Sequence, residues 1–194
     1  LMSSQDKLKS YSWNLVGSLS GIILFSIMSF IWSPPSLWIL VGFFIFIIFV
    51  RKNLIDIFIP FSSALILIFV ILIPSDLSKQ DIYSPYQVIS LQHNYSPQSP
   101  TIDVKVSNTW FQTPYDLSGK TTYNPAPLAA NYKAPYSIRS KIPQKILIVG
   151  SGTGNDTAYA IEKGVSQIDA VEIDPAIIHI GEKYHPQKPY QSNK

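Results

Sequence analysis

The residues with the clearest chemical potential lie close together near the C-terminal end of the chain. Gly150, Gly152 and Gly154 alternate along a short segment, and Glu172 follows about 20 residues after them. Glycine has no Cβ atom, so the backbone can turn sharply and approach a ligand at these positions. A carboxylate at this spacing can accept hydrogen bonds from the hydroxyls of a ribose. The pattern therefore indicates a nucleoside-binding site.

A strand, a helix and a second strand must position these residues. The apolar run 145–149 precedes the glycines and is predicted to be a strand buried on both faces. The helix that follows is predicted to be capped by Asn155 or Asp156 and closed by Gly164. Residues 168–173 then return as the neighbouring strand. This is the βαβ unit of a nucleotide-binding sheet.

A second helix is predicted directly after the second strand. Asp174 is suited to cap it, and Pro175 is suited to its first position because proline lacks the amide hydrogen that is unpaired there. The helix is expected to run to about Tyr184. Asp174 is therefore interpreted as a helix cap rather than as a ligand contact.

The glycine spacing also distinguishes between ligand classes. A dinucleotide fingerprint requires a third glycine at the position that Asn155 occupies. The spacing favours an adenosyl-sulfonium ligand over a pyrophosphate. Two readings without a ligand remain: the glycines form a tight turn between strand and helix, and Glu172 is a solvated strand end.

The first third of the chain has the composition of a membrane region. No Asp, Glu, Lys or Arg occurs between Lys9 and Arg51, and a further uncharged apolar run extends from residue 57 to residue 74. A membrane helix needs roughly 20 apolar residues. We therefore predict a multi-pass integral membrane protein in contact with the lipid bilayer, with three spans at about 13–32, 37–50 and 54–73.

The basic residues near these spans bear on membrane orientation. Lys7 and Lys9 are separated from Arg51 and Lys52 by two predicted spans, so both clusters lie on one side, which is expected to be the cytoplasm. A third span would send the following domain outward, whereas the predicted ligand is cytosolic. We favour a cytoplasmic domain. The net charge of +3 is accounted for by these flanking residues and does not indicate a nucleic-acid partner.

The segment after the membrane region is predicted to form a small β-domain. Residues 86–91 and 101–107 are rich in β-branched side chains, and the second run alternates between apolar and polar residues. A loop at 94–100 would join them into a hairpin or small meander that 110–112 extends. Residues 113–143 lack periodicity and are interpreted mostly as loop.

Three strings resemble a known family. SPYQ (84–87), VGSGTGND (149–156) and VEIDP (171–175) are similar to segments of the polyamine aminopropyltransferases, spermidine synthase-like proteins, and most of all to their membrane-anchored relatives. The resemblance covers about residue 83 to the end. It implies a small N-terminal β-domain followed by a Rossmann-like, methyltransferase-type sheet. It also implies decarboxylated S-adenosylmethionine or S-adenosylmethionine as donor, and a small amine such as putrescine as acceptor.

The resemblance implies roles for individual residues. Gln87 would contact the sulfonium end of the donor, Glu172 would hold its ribose hydroxyls, and Gln112 would lie near the same pocket. The full set of expected ligand-binding residues is Gln87, Gln112, Gly150, Gly152, Thr153, Gly154, Asn155, Glu172 and Ile173.

The chain also departs from the family pattern. Thr153 stands where the family motif GGGDGG has an Asp that recognises the cationic aminopropyl group, and the family's Tyr-His-Glu cluster has no match. The catalytic Asp is expected beyond residue 194, so catalytic residues are unassigned. We expect a fragment of a polyamine-biosynthetic transferase that is inactive by itself. An S-adenosylmethionine-dependent methyltransferase is a variant of this reading.

A non-catalytic alternative stays open, namely a membrane protein that senses a nucleotide or serves as a scaffold for transport. A homo-oligomer is possible in either case. No metal site is expected, because His93, His179 and His185 are not grouped with other ligands, and the last two are expected at the surface.

The expected organisation follows from these observations. Residues 1–75 form the transmembrane region, 76–118 the small β-domain, 119–143 a linker, and 144–194 the first βαβα unit of a truncated Rossmann-like domain.

Overall fold

The chain is organised as two compact units. The computed structural model describes residues 4–49, 54–73, 78–96, 99–119, 126–138 and 140–192. The first unit comprises Leu1–Pro74 and the second Ser75–Lys194.

The first unit contains three apolar helices. They are α1 (Ser4–Phe30), α2 (Pro35–Phe49) and α3 (Leu54–Leu72). The predicted break between the first two is confirmed, because α1 ends before the two prolines and Pro35 opens α2. The α1–α2 turn is closed by the Ser33 hydroxyl, which donates to the Met28 carbonyl oxygen at 2.7 Å. Aromatic rings also join neighbouring helices, as between Phe43 of α2 and Phe61 of α3, whose centroids are 5.4 Å apart.

One of these helices is long and apolar enough to cross a membrane. Within the described residues, Asp6–Phe30 of α1 meets this criterion by length and composition, whereas the apolar stretches Pro35–Ile48 and Phe58–Leu72 are shorter. Large apolar side chains of α1, such as Ile22 and Phe25, are exposed, as a lipid-facing helix requires. The structure thus supports one candidate span near the N-terminus. The basic residues Arg51 and Lys52, predicted to separate two spans, lie outside the described residues.

The second unit begins with a four-stranded antiparallel meander. Its strands lie in sequence order and are β1 (Lys79–Tyr83), β2 (Val88–Ser96), β3 (Ser99–Val106) and β4 (Thr109–Gln112). The predicted meander is confirmed, although β1 was not predicted. The predicted loop at 94–100 is too long, because β2 and β3 continue to pair as far as Ser96 and Ser99.

A helix occupies part of the segment predicted to be loop. Helix α4 (Ala126–Ser137) lies within 113–143, with Pro135 near its end. Proline and asparagine in this segment favour turns, but its alanines have the highest helix propensity of any residue. The expectation of loop is therefore wrong for 126–137.

A βαβα unit completes the second unit of the chain. Strand β5 (Lys145–Val149) pairs in parallel with β6 (Gln167–Val171), and these strands alternate with α5 (Asn155–Glu162) and α6 (Pro175–Tyr184). A 3-10 turn, Pro189–Gln191, follows. Together β5 and β6 form a two-stranded parallel sheet within the described residues.

The helix ends agree with the sequence in four of five details. Asp174 caps α6 by accepting the Ala176 amide at 2.9 Å, with Pro175 at the first position, and α6 ends at Tyr184 as predicted. Gly164 ends α5 with a left-handed φ of 80°. The predicted cap of α5 is wrong, because Gly154 occupies that position and no side chain caps it.

Strand β5 is not buried on both faces as predicted, and the neighbouring β6 is exposed on the same face. Leu147 and Val149 of β5 are 64% and 78% exposed, and Val171 of β6 is 52% exposed. The alternate residues are partly covered. Since strand side chains alternate between faces, Leu147, Val149 and Val171 share one face of β5 and β6 that the described part of the chain leaves open. The Lys145–Asp169 ion pair lies on the same face.

The core of the second unit lies between the antiparallel sheet and α6. Three sheet residues and three helix residues are buried against one another: Ile89, Leu91, Val104, Ala176, Ile177 and Ile180. This packing brings the end of β4 and the β1–β2 connection next to the carboxyl ends of β5 and β6.

Candidate functional site

The glycine loop, residues 150–154, connects the carboxyl end of β5 with α5. Gly150, Gly152 and Gly154 have φ values of 72°, 58° and 102°, which residues with a Cβ atom rarely adopt. Ser151 and Thr153, between them, are 1% and 0% exposed. The loop is therefore a compact turn that presents backbone rather than side chains.

Glu172 lies at the carboxyl end of β6 and faces this loop. One carboxylate oxygen accepts the Gly152 amide at 3.0 Å. The other oxygen accepts the amides of Ile173 at 2.8 Å and Asp174 at 3.1 Å. The predicted convergence of a carboxylate and a glycine bend is thus present.

Gln112, the last residue of β4, holds the loop from the side of the antiparallel sheet. Its side-chain oxygen accepts both the amide and the hydroxyl of Thr153, each at 2.7 Å. A Cβ atom at Gly152 would lie 2.5 Å from that oxygen. Gly152 is therefore a glycine because Gln112 occupies the adjoining space.

The 3-10 turn, Pro189–Gln191, packs against the glycine loop and α6. A Cβ atom at Gly154 would lie 2.6 Å from Pro189 Cγ, and one at Gly181 of α6 would lie 2.8 Å from the Tyr190 ring. Nothing lies within 4 Å of the corresponding position at Gly150. The Cβ positions of Gly152 and Gly154 therefore point at the protein itself, and that of Gly150 points at open space.

Every amide of the glycine loop already has an acceptor within the protein. The Gly150 and Ser151 amides donate to the Val171 carbonyl oxygen at 2.8 and 3.0 Å, and the Gly154 amide donates to the Ser151 carbonyl oxygen at 3.0 Å. The two intervening amides donate to Glu172 and Gln112, as described above. A phosphate placed at this helix N-terminus would have to displace these acceptors.

Gln87 lies in the connection between β1 and β2 and contacts Asp174 rather than the loop. The side-chain amide nitrogen of Gln87 donates to an Asp174 carboxylate oxygen at 3.1 Å, and the Ser84 hydroxyl donates to the same oxygen at 2.6 Å. Asp174 is 1% exposed. This cluster joins the antiparallel sheet to the N-terminus of α6, immediately after Glu172.

Asn155 is 0% exposed and connects three segments of the protein. Its oxygen accepts the Tyr115 amide at 3.0 Å, and its nitrogen donates to the Thr113 carbonyl oxygen and the Tyr132 hydroxyl at 2.9 Å each. Because both ends of this amide are used inside the protein, Asn155 does not face a ligand here.

His185 is 0% exposed, so the expectation of a surface histidine is wrong. Its Nε2 lies 3.1 Å from the Asn155 oxygen, which can only accept, and its Nδ1 accepts the Gln187 amide at 3.1 Å. These contacts assign the neutral, Nε2-protonated ring. Burial lowers the pKa of His185 to about 4, partly offset by Asp116 and reinforced by Lys188. His179 is exposed, as predicted.

Ile173 extends the apolar surface beside Glu172. Its side chain is 71% exposed, next to the exposed face that Val149 and Val171 form.

The sequence-predicted residues separate into a group around the glycine loop and a group whose side chains bond other parts of the protein. Glu172, Gln112, Thr153 and the glycines belong to the first, and Gln87 and Asn155 to the second.

Three contacts of this site were not predicted from the sequence. They involve Tyr190, which follows the last predicted helix, Ser84 beside Gln87, and Tyr132 in the segment read as loop. None has a local pattern that indicates its partner, because each partner is more than 20 residues away in sequence.

No metal site or known relative adds to this geometry. Within the described residues, no group of His, Cys, Asp and Glu could hold a metal ion. Comparison of the chain with protein-family models, curated proteins and solved structures found no match.

Proposed function

We propose that residues 75–194 bind an adenosyl-sulfonium compound, with its ribose hydroxyls on Glu172. The compound is S-adenosylmethionine or its decarboxylated form, and the chain belongs to a membrane-anchored, spermidine synthase-like transferase. The observation that carries this proposal is the Glu172 carboxylate at the end of β6, 3.0 Å from the Gly152 amide. Three of the about four acceptor sites of this carboxylate are taken by the amides of Gly152, Ile173 and Asp174, and the remaining site can accept a ribose hydroxyl.

The occupied amides of the glycine loop support a ligand without phosphates. Dinucleotides bind such loops by placing the pyrophosphate on free amides at a helix N-terminus. Here those amides donate to Val171, Glu172, Gln112 and Ser151. An adenosyl-sulfonium compound does not need free backbone amides at this position, since it carries a cation and hydroxyl groups but no phosphate.

The surroundings of Glu172 support an adenine ring on its apolar side. Ile173, Val149 and Val171 present exposed apolar side chains at the carboxyl ends of β5 and β6. The space next to Gly150 is open. A flat, largely apolar base would bury this surface, and each buried Å² contributes about 25 cal/mol.

The reaction we propose is a displacement at carbon. The lone pair of an amine attacks the aminopropyl carbon bonded to the sulfonium, the carbon–sulfur bond breaks, and its electron pair returns sulfur to a neutral thioether. The amine then loses one proton to a base. In the methyltransferase variant, the attacked carbon is the methyl group. We assign no base among the residues of this chain, and binding is therefore the step proposed for it.

Thr153 favours a second, non-catalytic candidate function. Its buried hydroxyl is bound to Gln112, so a neutral pair stands where the resembling family has a carboxylate for the cationic end of the donor. A domain that binds the adenosyl group without recognising the aminopropyl group would fit a membrane-bound nucleotide sensor or a scaffold for transport.

We further propose that β5, α5, β6 and α6 are the first part of a larger Rossmann-like sheet. Two observations support this: the face of β5 and β6 that carries Leu147, Val149 and Val171 is open, and a cavity of about 420 Å³ lies against residues 145–148. Two strands alone rarely form a stable sheet. In the same proposal, α2 and α3 accompany α1 in the membrane, and the nucleoside site faces the cytoplasm.

Calorimetry on the full chain in detergent tests the ribose assignment. Glu172→Ala should weaken binding of the adenosyl-sulfonium compound by about 1–3 kcal/mol, through the loss of charge-assisted hydrogen bonds. Glu162→Ala is the matched control, because Glu162 is an exposed acid of α5. NADH should bind more weakly than either adenosyl compound. Unchanged affinity in Glu172→Ala would reject the assignment.

A further inference from the structure

Tyr190 makes an unusual connection between the end of the described chain and the glycine loop. Its hydroxyl lies 2.6 Å from the Gly152 carbonyl oxygen and 2.8 Å from the Ser151 hydroxyl oxygen. Burial raises the pKa of Tyr190 above its ordinary value, so the phenol stays protonated and able to donate at neutral pH. The Gly152 carbonyl oxygen thus has a hydrogen-bond donor, the Tyr190 hydroxyl, at neutral pH.

The peptide between Gly152 and Thr153 is held at both ends. Tyr190 holds its carbonyl oxygen, and Gln112 accepts its amide hydrogen at 2.7 Å. The preceding peptide, between Ser151 and Gly152, donates its amide hydrogen to Glu172. Rotation of either peptide plane would break a bond to at least one of these three side chains.

The ring of Tyr190 is also fitted to two glycines. It lies 3.4 Å from the Cβ position of Gly154 and 2.8 Å from that of Gly181. Any larger residue at Gly181 would also collide with the Thr153 carbonyl oxygen, at 2.5 Å. The 3-10 turn therefore packs against the loop at Gly154, whereas the space beside Gly150 is open.

We propose that Tyr190 is a positioning residue for the nucleoside site. It holds the carbonyl oxygen of Gly152 and the hydroxyl of Ser151, on either side of the Gly152 amide that meets Glu172, and thereby restricts the orientation of the carboxylate that would hold the ribose. This inference rests on the proposed function for its effect on binding, but its effect on the loop is independent of any ligand. Tyr190 itself touches no ligand.

The test combines two measurements on Tyr190→Phe in the full chain in detergent. The variant keeps the ring that packs on Gly154 and Gly181 and loses only the hydroxyl. Hydrogen–deuterium exchange of the peptide spanning 150–154 should accelerate by about tenfold, and affinity for S-adenosylmethionine should fall by about fivefold or more, as expected for one lost hydrogen bond. The thermal midpoint should change little.

Tyr184→Phe is the matched control. Tyr184 is another partly buried tyrosine of the same unit, and its ring packs against the core cluster and His93 instead of the loop. It should leave both exchange in 150–154 and affinity unchanged. Unchanged exchange in Tyr190→Phe would overturn the inference, as would faster exchange with full affinity. If the wild-type chain binds neither adenosyl compound, the proposed function fails and the exchange measurement alone decides whether Tyr190 holds the loop.

Discussion

Lowering the pH should destabilise the second unit through His185. The ring is buried and held neutral, because Nε2 donates to Asn155 while Nδ1 accepts the Gln187 amide. Protonation would place a second N–H group opposite the Gln187 N–H and a charge in a buried site. Folding therefore lowers the pKa of His185 from 6.5 to about 4, with burial as the main cause.

The direction and size of the effect follow from proton linkage. Between pH 6.5 and about pH 4, the unfolded chain binds a proton at His185 and the folded chain does not, so stability falls as the pH falls. The contribution is fully present above about pH 6.5. Each pH unit within the window costs about 1.4 kcal/mol, which gives a loss of about 2 kcal/mol at pH 5 and about 3 kcal/mol at pH 4.

The assay is urea unfolding of the full chain in detergent at pH 7 and pH 5. Hydrogen–deuterium exchange of the β4 and α6 peptides should report unfolding of the second unit separately from the membrane helices. His185→Gln should be less stable at pH 7 but should lose most of this pH dependence. His179→Gln, which alters an exposed histidine of the same region, should retain it. Equal wild-type stability at both pH values would refute the reasoning, as would an unchanged pH dependence in His185→Gln.

Two further substitutions separate packing from ligand contact. Gly154→Ala should lower the free energy of unfolding by about 1–3 kcal/mol, because alanine strains the φ of 102° and also meets Pro189. Gly150→Ala strains a φ of 72° but meets no atom within 4 Å, so it should cost less stability and should lower ligand affinity. Urea unfolding and calorimetry check the pair, and equal stability losses would contradict it. Asn155→Ala should cost about 1–3 kcal/mol or more by removing the side-chain amide that bonds the Tyr115 amide and the Thr113 carbonyl oxygen. A loss below about 0.5 kcal/mol in urea unfolding would show that water replaces these bonds.

The βαβα unit could be predicted because its signals are local. The apolar run 145–149, the glycine that ends α5 and the Asp174-Pro175 cap each specify their element within a few residues. The spacing to Glu172 was informative for the same reason. Parallel strands of one sheet end at the same edge, so the strand that follows a glycine loop brings its last residue to that loop.

The parts that could not be predicted depend on contacts distant in sequence. Helix α4 lies in a segment whose prolines and asparagines suggest loop, yet Tyr132 on it meets Asn155. His185 follows a helix end, a position that is usually exposed, and is buried because Asn155 supplies a partner for its ring. Single-sequence patterns contain no information about such pairings.

The glycine motif shows how one pattern can combine several physical causes. Gly152 accommodates Gln112, Gly154 accommodates Pro189 and Tyr190, and Gly150 has open space beside it. Gly152 and Gly154 are needed for the loop to pack against its own protein, so ligand approach alone does not account for the three glycines. That packing is nevertheless relevant to binding. The same contacts hold the loop amides on internal acceptors and align Gly152 with Glu172, and so they favour a nucleoside over a phosphate at this helix N-terminus.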